Sequence, residues 1–127
     1  MAAPSLNLPL PEPRVSQELA AVASLTRVRA AAAVARDRLA EIDGVRVLGP
    51  EVASGSRDVR LAIDLRDTGR DAWDVACAMA GRDVALDAAT HRVIVVRLTE
   101  ADLAQGLHHR LAPALQLALW ATPAQVG

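Results

Sequence analysis

The chain has 127 residues, of which 52% are hydrophobic and 23% charged, with a formal net charge of -1. That length accommodates one domain, and the near-neutral balance gives no electrostatic footprint for nucleic acid or an anionic membrane. A lone cysteine, Cys77, excludes an intramolecular disulfide and a cysteine metal cluster.

Residues Met1 to Val15 carry four of the seven prolines, in a stretch reading Leu6-Asn7-Leu8-Pro9-Leu10-Pro11-Glu12-Pro13. Proline fixes φ and removes backbone donors, so 1–15 is expected to be an extended arm whose leucines dock or stay exposed. Ser16 is placed to cap a helix from Gln17 to about Ile42, stopped by Gly44. Leu25, Ala32 and Leu39 recur every seven residues, as do Val28, Ala35 and Ile42. Together they form one narrow apolar stripe that needs a neighbour.

Val45 to Leu48 reads as a short strand ended by Gly49-Pro50, followed by a polar loop over Glu51 to Ser56. Val59, Leu61, Ile63 and Leu65 then alternate with Arg60, Ala62, Asp64 and Arg66, a half-buried strand. Asp67-Thr68-Gly69 turns the chain, and Thr68 with Asp71 forms a capping-box-like pair. The next helix is expected to bury Trp73, Ala76, Cys77 and Ala80 and to end at Gly81. A short strand over Val84 to Leu86, a turn over Asp87 to Thr90 and an apolar central strand over Val93 to Val96 follow. Thr99 and Asp102 open a last helix with Leu103, Leu107 and Leu111 inward, which Pro113 should kink or end. The expected fold is α+β: a long N-terminal helix, then a small mixed or antiparallel sheet with helices on one face, in a single domain over 16–127.

The residue inventory limits the chemistry. All 14 Lys+Arg residues are arginine, so no side chain supplies a Schiff-base amine or a phosphate-loop lysine. Cys77 is expected in the core, with no His or Arg at helical spacing to activate it. His108 and His109 are adjacent on a helix and point apart, and His91 is distant in sequence. The expectation is surface histidines near a helix C-terminal turn and no metal site. Asp64 and Asp67 flank a strand end, where sites often gather, but read as solvated face and turn residues. No catalytic residue is assigned. With no apolar run of about 18 residues and no signal peptide, a soluble cytoplasmic protein is expected.

The segment Arg57-Asp58-Val59-Arg60-Leu61-Ala62-Ile63-Asp64-Leu65-Arg66-Asp67-Thr68-Gly69 resembles the strand and Thr-Gly turn that begin the small domain of ornithine/lysine/arginine decarboxylase-like enzymes. These are pyridoxal-phosphate enzymes of fold type I, with the aspartate aminotransferase fold. The elements after the turn follow the family's order, and Leu39-Ala40-Glu41-Ile42-Asp43-Gly44 is similar to the end of its connecting helix. The resemblance spans roughly Ser16 to Leu119.

In that family a preceding large domain carries the Schiff-base lysine, the aspartate on the pyridine nitrogen and the phosphate site. None of these is present, so the resemblance implies a detached small domain with its own start methionine. It would complete the active site of a large-domain partner holding pyridoxal phosphate and an amino-acid substrate, and would not be catalytic alone. Arg66 and then Arg92 are the candidates to meet a substrate carboxylate, since guanidinium–carboxylate pairing is bidentate. The alternative is a ferredoxin-like binding or regulatory module that homodimerises.

Overall fold

The computed structural model describes residues 13–52, 58–82, 84 and 86–124. Its elements run in the order α1 (Pro13–Ala40), β1 (Arg46–Val52), β2 (Val59–Asp64), a 3-10 turn (Arg66–Thr68), α2 (Ala72–Ala80), β3 (Ala88–Ala89), β4 (Val93–Leu98), α3 (Glu100–Ala104) and α4 (Leu107–Ala121). The strands form one antiparallel sheet in the order β1-β2-β4-β3. β4 therefore lies between β2 and β3, and α2 crosses over it in a split β-α-β unit. The α+β expectation is met, with an all-antiparallel sheet.

Period-two alternation orients the sheet. Val59, Leu61, Ile63 and Leu65 are fully buried, as are Ile94, Val96 and Leu98 of β4. Ile63 pairs with Ile94 across the two strands, so both strands turn the same register to the helices. The seven-residue stripe of α1 meets this face through Val28, Ala32, Ala35 and Leu39, none of them accessible to solvent. Leu25 and Ile42 pack partly buried at its ends. α2 and α4 complete the layer with Val75, Met79, Leu111 and Leu115.

On the other face Leu48, Ala62, Val95 and Ala88 form one row across all four strands. Arg60 and Arg97 stand opposite each other there, a repulsive pairing relieved by Asp87, 3.4 and 4.0 Å from their Nε atoms.

Several elements differ from the sequence expectation. α1 begins at Pro13, because proline lacks only a donor that the first turn leaves unused; Ser16 lies inside the helix rather than at its cap. The rest of the expected arm, residues 1–12, lies outside the described residues. Gly49-Pro50 does not end β1. The strand passes through it with a register shift between Leu48 and Glu51, and the peptide between them is cis. Only glycine suits position 49, where φ is 110° and a Cβ would fall 2.8 Å from the Arg60 carbonyl oxygen.

α2 is rotated relative to the expected phase. It buries Ala72, Val75, Ala76 and Met79, while Trp73, Cys77 and Ala80 face outward. The spacing i, i+3, i+4, i+7 of that set puts the larger aliphatic chains on the sheet. The cap is Asp71, which accepts from Trp73 and Asp74 N–H; Thr68 instead donates to the Leu65 carbonyl at 2.6 Å. The short strand falls at Ala88–Ala89, where a turn was expected, because Asp87 N–H and Ala88–Ala89 find partners on β4; of the strand expected over Val84 to Leu86, Val84 is buried with its N–H on the Met79 carbonyl, and Ala85 lies outside the described residues.

The Thr99–Asp102 capping box opens α3 as expected, and Leu107 and Leu111 are inward. The helix breaks at Gly106, in the left-handed region at φ 71°, and not at Pro113. Pro113 sits within α4 on its exposed side, where the carbonyl it cannot serve reaches water. Among the described residues no helix is long and apolar enough to cross a membrane.

The two sheet faces should respond differently to truncation. Leu61→Ala, at a fully buried position, is expected to cost about 2–5 kcal/mol in urea unfolding. Leu48→Ala, on the open row, should stay within about 0.5 kcal/mol of wild type.

Candidate functional site

Polar side chains gather at the pole where β2 ends and β4 begins. The strand ends are tied by Leu65 N–H donating to the Arg92 carbonyl at 2.9 Å, which brings both sequence-predicted arginines to this pole. Arg66 leaves β2 in the 3-10 turn and folds back onto Asp64. Its backbone N–H donates to Asp64 Oδ1 at 3.0 Å, and its guanidinium closes on the same carboxylate with Nη2 2.9 Å from Oδ2. Asp64 is buried, contrary to the solvated position expected of it, because Arg66 covers and neutralises it. Hydrogen bonds from the Arg66 guanidinium and backbone N–H hold the Asp64 carboxyl below the usual carboxylate range against the opposing effect of burial. Asp67 is exposed and pairs with Arg46 at 3.3 Å.

Arg92 lies in the turn between β3 and β4. Its backbone N–H donates to Thr90 Oγ1 at 3.2 Å, and its side chain is exposed. The two arginines are thus unequal: Arg66 already serves an internal carboxylate, while among the described residues Arg92 makes no ion pair. An external carboxylate would meet Arg92 first and must compete with Asp64 for Arg66.

Sequence reasoning missed the pair at the centre of this pole, Asp71 and His91. Asp71 Oδ1 caps α2 by accepting from Trp73 N–H at 2.8 Å, and its Oδ2 lies 2.7 Å from His91 Nδ1. The His91 carbonyl accepts from Ala72 N–H at 3.0 Å, so the β3–β4 turn is clasped to the start of α2 by backbone and side chain together. Burial pushes the Asp71 carboxyl upward, but His91 and the two capping N–H groups outweigh it and leave the pKa lowered. The Asp71 side chain is 12% exposed and that of His91 83%, so a fixed carboxylate orients an imidazole at the surface. The cap position of Asp71 was the available signal. Its partner is twenty residues away and meets it only through the fold.

Chemically, this pole can bind an anion or a carboxylate and can offer an oriented imidazole for proton transfer. Thr68, its hydroxyl neighbour, has that group committed to the Leu65 carbonyl. Among the described residues no group of three or more His, Cys, Asp or Glu side chains is placed to hold a metal ion. Pyridoxal phosphate does not fit as a resident group of this chain: no lysine exists to take its aldehyde, and the Arg66 guanidinium is spent on Asp64.

A second surface comes from the outward face of α2. Trp73, Cys77, Leu86 and Ala89 line an apolar cavity of about 510 Å³ beside β3. Cys77 is an exposed free thiol there, not a core residue. His108 and His109 belong to the first turn of α4 rather than a last turn, because the chain breaks at Gly106, and their ring centroids approach to 4.0 Å. His108 Nδ1 is buried without a hydrogen-bond partner. Burial first, then His109 and Arg38, push the His108 pKa below its ordinary 6.5. Comparisons with protein-family models, curated proteins and solved structures find no match to the chain.

Two pH limbs follow. His108 binds its proton more weakly folded than unfolded, so its contribution is full above pH 6.5 and is lost as pH falls from there through the lower folded value. His108→Gln should flatten the unfolding free energy over that window, read by urea denaturation. Asp64 stabilises the fold above its unfolded value of 3.8, and that contribution is lost as pH falls through its lower folded pKa. Asp64→Asn should lower stability at neutral pH and remove part of the acid limb, without changing the limb that begins at 6.5.

Proposed function

We propose that this chain acts as the small domain of a pyridoxal-phosphate-dependent, decarboxylase-like enzyme working on an amino-acid substrate. The cofactor-holding large domain would come from a partner polypeptide. The observation that carries the proposal is the first stretch of α1. Ser24 donates to Glu100 at 2.6 Å and Arg27 pairs with the same carboxylate, anchoring the helix to the start of α3. N-terminal to that anchor, Ser16 to Ala23 lie almost wholly in solvent, with Leu19 and Val22 64% and 63% exposed. Burying each of these side chains is worth about 1.5–3 kcal/mol, a strong incentive for a partner surface. The order of elements after the β2 turn supports the same reading.

In that role the chain closes one wall of a shared site and excludes water from it. Arg92 presents a guanidinium to the substrate carboxylate, with Arg66 behind it on Asp64. His91, oriented by Asp71, offers a proton-transfer group at the same wall. All of these residues bind, orient or shield, and the cofactor belongs to the partner.

The split β-α-β unit favours a second reading, a ferredoxin-like binding module that homodimerises through its open sheet row. Isolation of the tagged full chain from its own host separates the two. The expected product is a complex with a larger lysine-bearing chain and the visible absorption of pyridoxal phosphate. The Leu19→Glu/Val22→Glu double variant should lose that partner while keeping the wild-type unfolding midpoint, since both positions are exposed. A colourless homodimer without a larger partner would establish the second reading and overturn the first.

A further inference from the structure

At the same pole, but on the helix-covered side, lies a cavity of about 290 Å³. Glu41, Ile42 and Asp43 border it from the turn after α1, Leu119 and Trp120 from α4, and Arg70 from the turn before α2. Arg70 is held in one rotamer by two uncharged acceptors: Nε donates to the Thr122 carbonyl at 3.0 Å and Nη1 to the Thr68 carbonyl at 3.1 Å. Among the described residues no carboxylate pairs directly with it, so a half-buried guanidinium borders the cavity with Nη2 uncommitted. Glu41 and Asp43 border the same space and likewise make no ion pair among the described residues. Trp120, 75% exposed, adds an aromatic face beside Ile42 and Leu119.

We propose that this cavity binds a free α-amino acid with an aliphatic side chain. A fixed guanidinium with unused N–H groups suits a carboxylate, and holding it in advance removes an ordering cost from binding. The two unpaired carboxylates and the indole face suit an ammonium group. A ligand with only one charge satisfies half of the site, whereas a zwitterion satisfies both halves. The apolar wall of Ile42, Leu119 and Trp120 takes an aliphatic side chain. The site is separate from Leu19 and Val22, so it stands or falls independently of the partner assignment.

Trp73→Phe leaves Trp120 as the sole fluorophore, because the chain has two tryptophans. That variant of the full chain is titrated with L-leucine, with 4-methylpentanoate, which lacks the amine, and with 3-methylbutylamine, which lacks the carboxylate. The expected result is a saturable change in Trp120 emission with L-leucine below about 10 mM, and binding at least about tenfold weaker for both analogues. Arg70→Gln should abolish the response. Since Arg70 also holds two turns together, Glu41→Gln/Asp43→Asn, at exposed positions, provides an independent variant that should weaken leucine by a similar factor with unchanged circular dichroism. No saturation with L-leucine, equal binding of either analogue, or wild-type affinity in the carboxamide variant overturns the proposal.

Discussion

Ile63 and Ile94 face each other across β2 and β4, and both point into the stripe Val28-Ala32-Ala35-Leu39 of α1. A slip of one residue in that pairing would turn the buried side chains of the shifted strand to the opposite face. Because the described helices cover one face of the sheet, this register also decides what the other face carries. It puts Arg60, Ala62 and Asp64 on that face together and leaves Arg66 to cover Asp64 at the strand end. The core it organises is aliphatic throughout: the chain has no Phe or Tyr, and both tryptophans are largely exposed. Alanines at 32 and 35 let α1 approach the sheet closely, so Leu, Ile and Val suffice to fill the space between them.

What could be read in the sequence follows from how locally each feature is determined. The α1 stripe and the β2 alternation are periodic over many residues, and the Thr99–Asp102 box is complete within four, so all three were legible. The phase of α2 was not. A nine-residue helix rich in alanine supports two apolar faces, and contact with β4 selects the one bearing Val75 and Met79. Gly49-Pro50 carries a stop signal that the β2 partner overrides by absorbing it as a bulge. Gly106, not Pro113, divides the last helical segment, because a left-handed glycine redirects the chain whereas an exposed proline costs little more than one solvated carbonyl. At the candidate site, Arg66 and Arg92 were found from their position at a strand end. The Asp71–His91 clasp was invisible because it joins two elements only once the hairpin has returned.

The functional surfaces are those the core leaves uncommitted. The first turns of α1 carry leucine and valine that no side chain among the described residues covers, since the anchor to Glu100 lies further along the helix. The polar pole carries an oriented imidazole and an exposed guanidinium, and the chain has no lysine. The apolar projection and the polar pole lie toward opposite ends of β4, since Ser24 and Arg27 meet Glu100 just after that strand whereas His91 and Arg92 just precede it.

The most direct measurement is amide hydrogen exchange over Ser16 to Ala23, comparing the isolated chain with the same chain in the assembly recovered from its host. The account predicts fast exchange in the isolated chain and protection in the assembly approaching that of Leu61 and Ile63. Equally fast exchange in both samples would contradict it, since the projecting helix would then not be the surface that a partner covers.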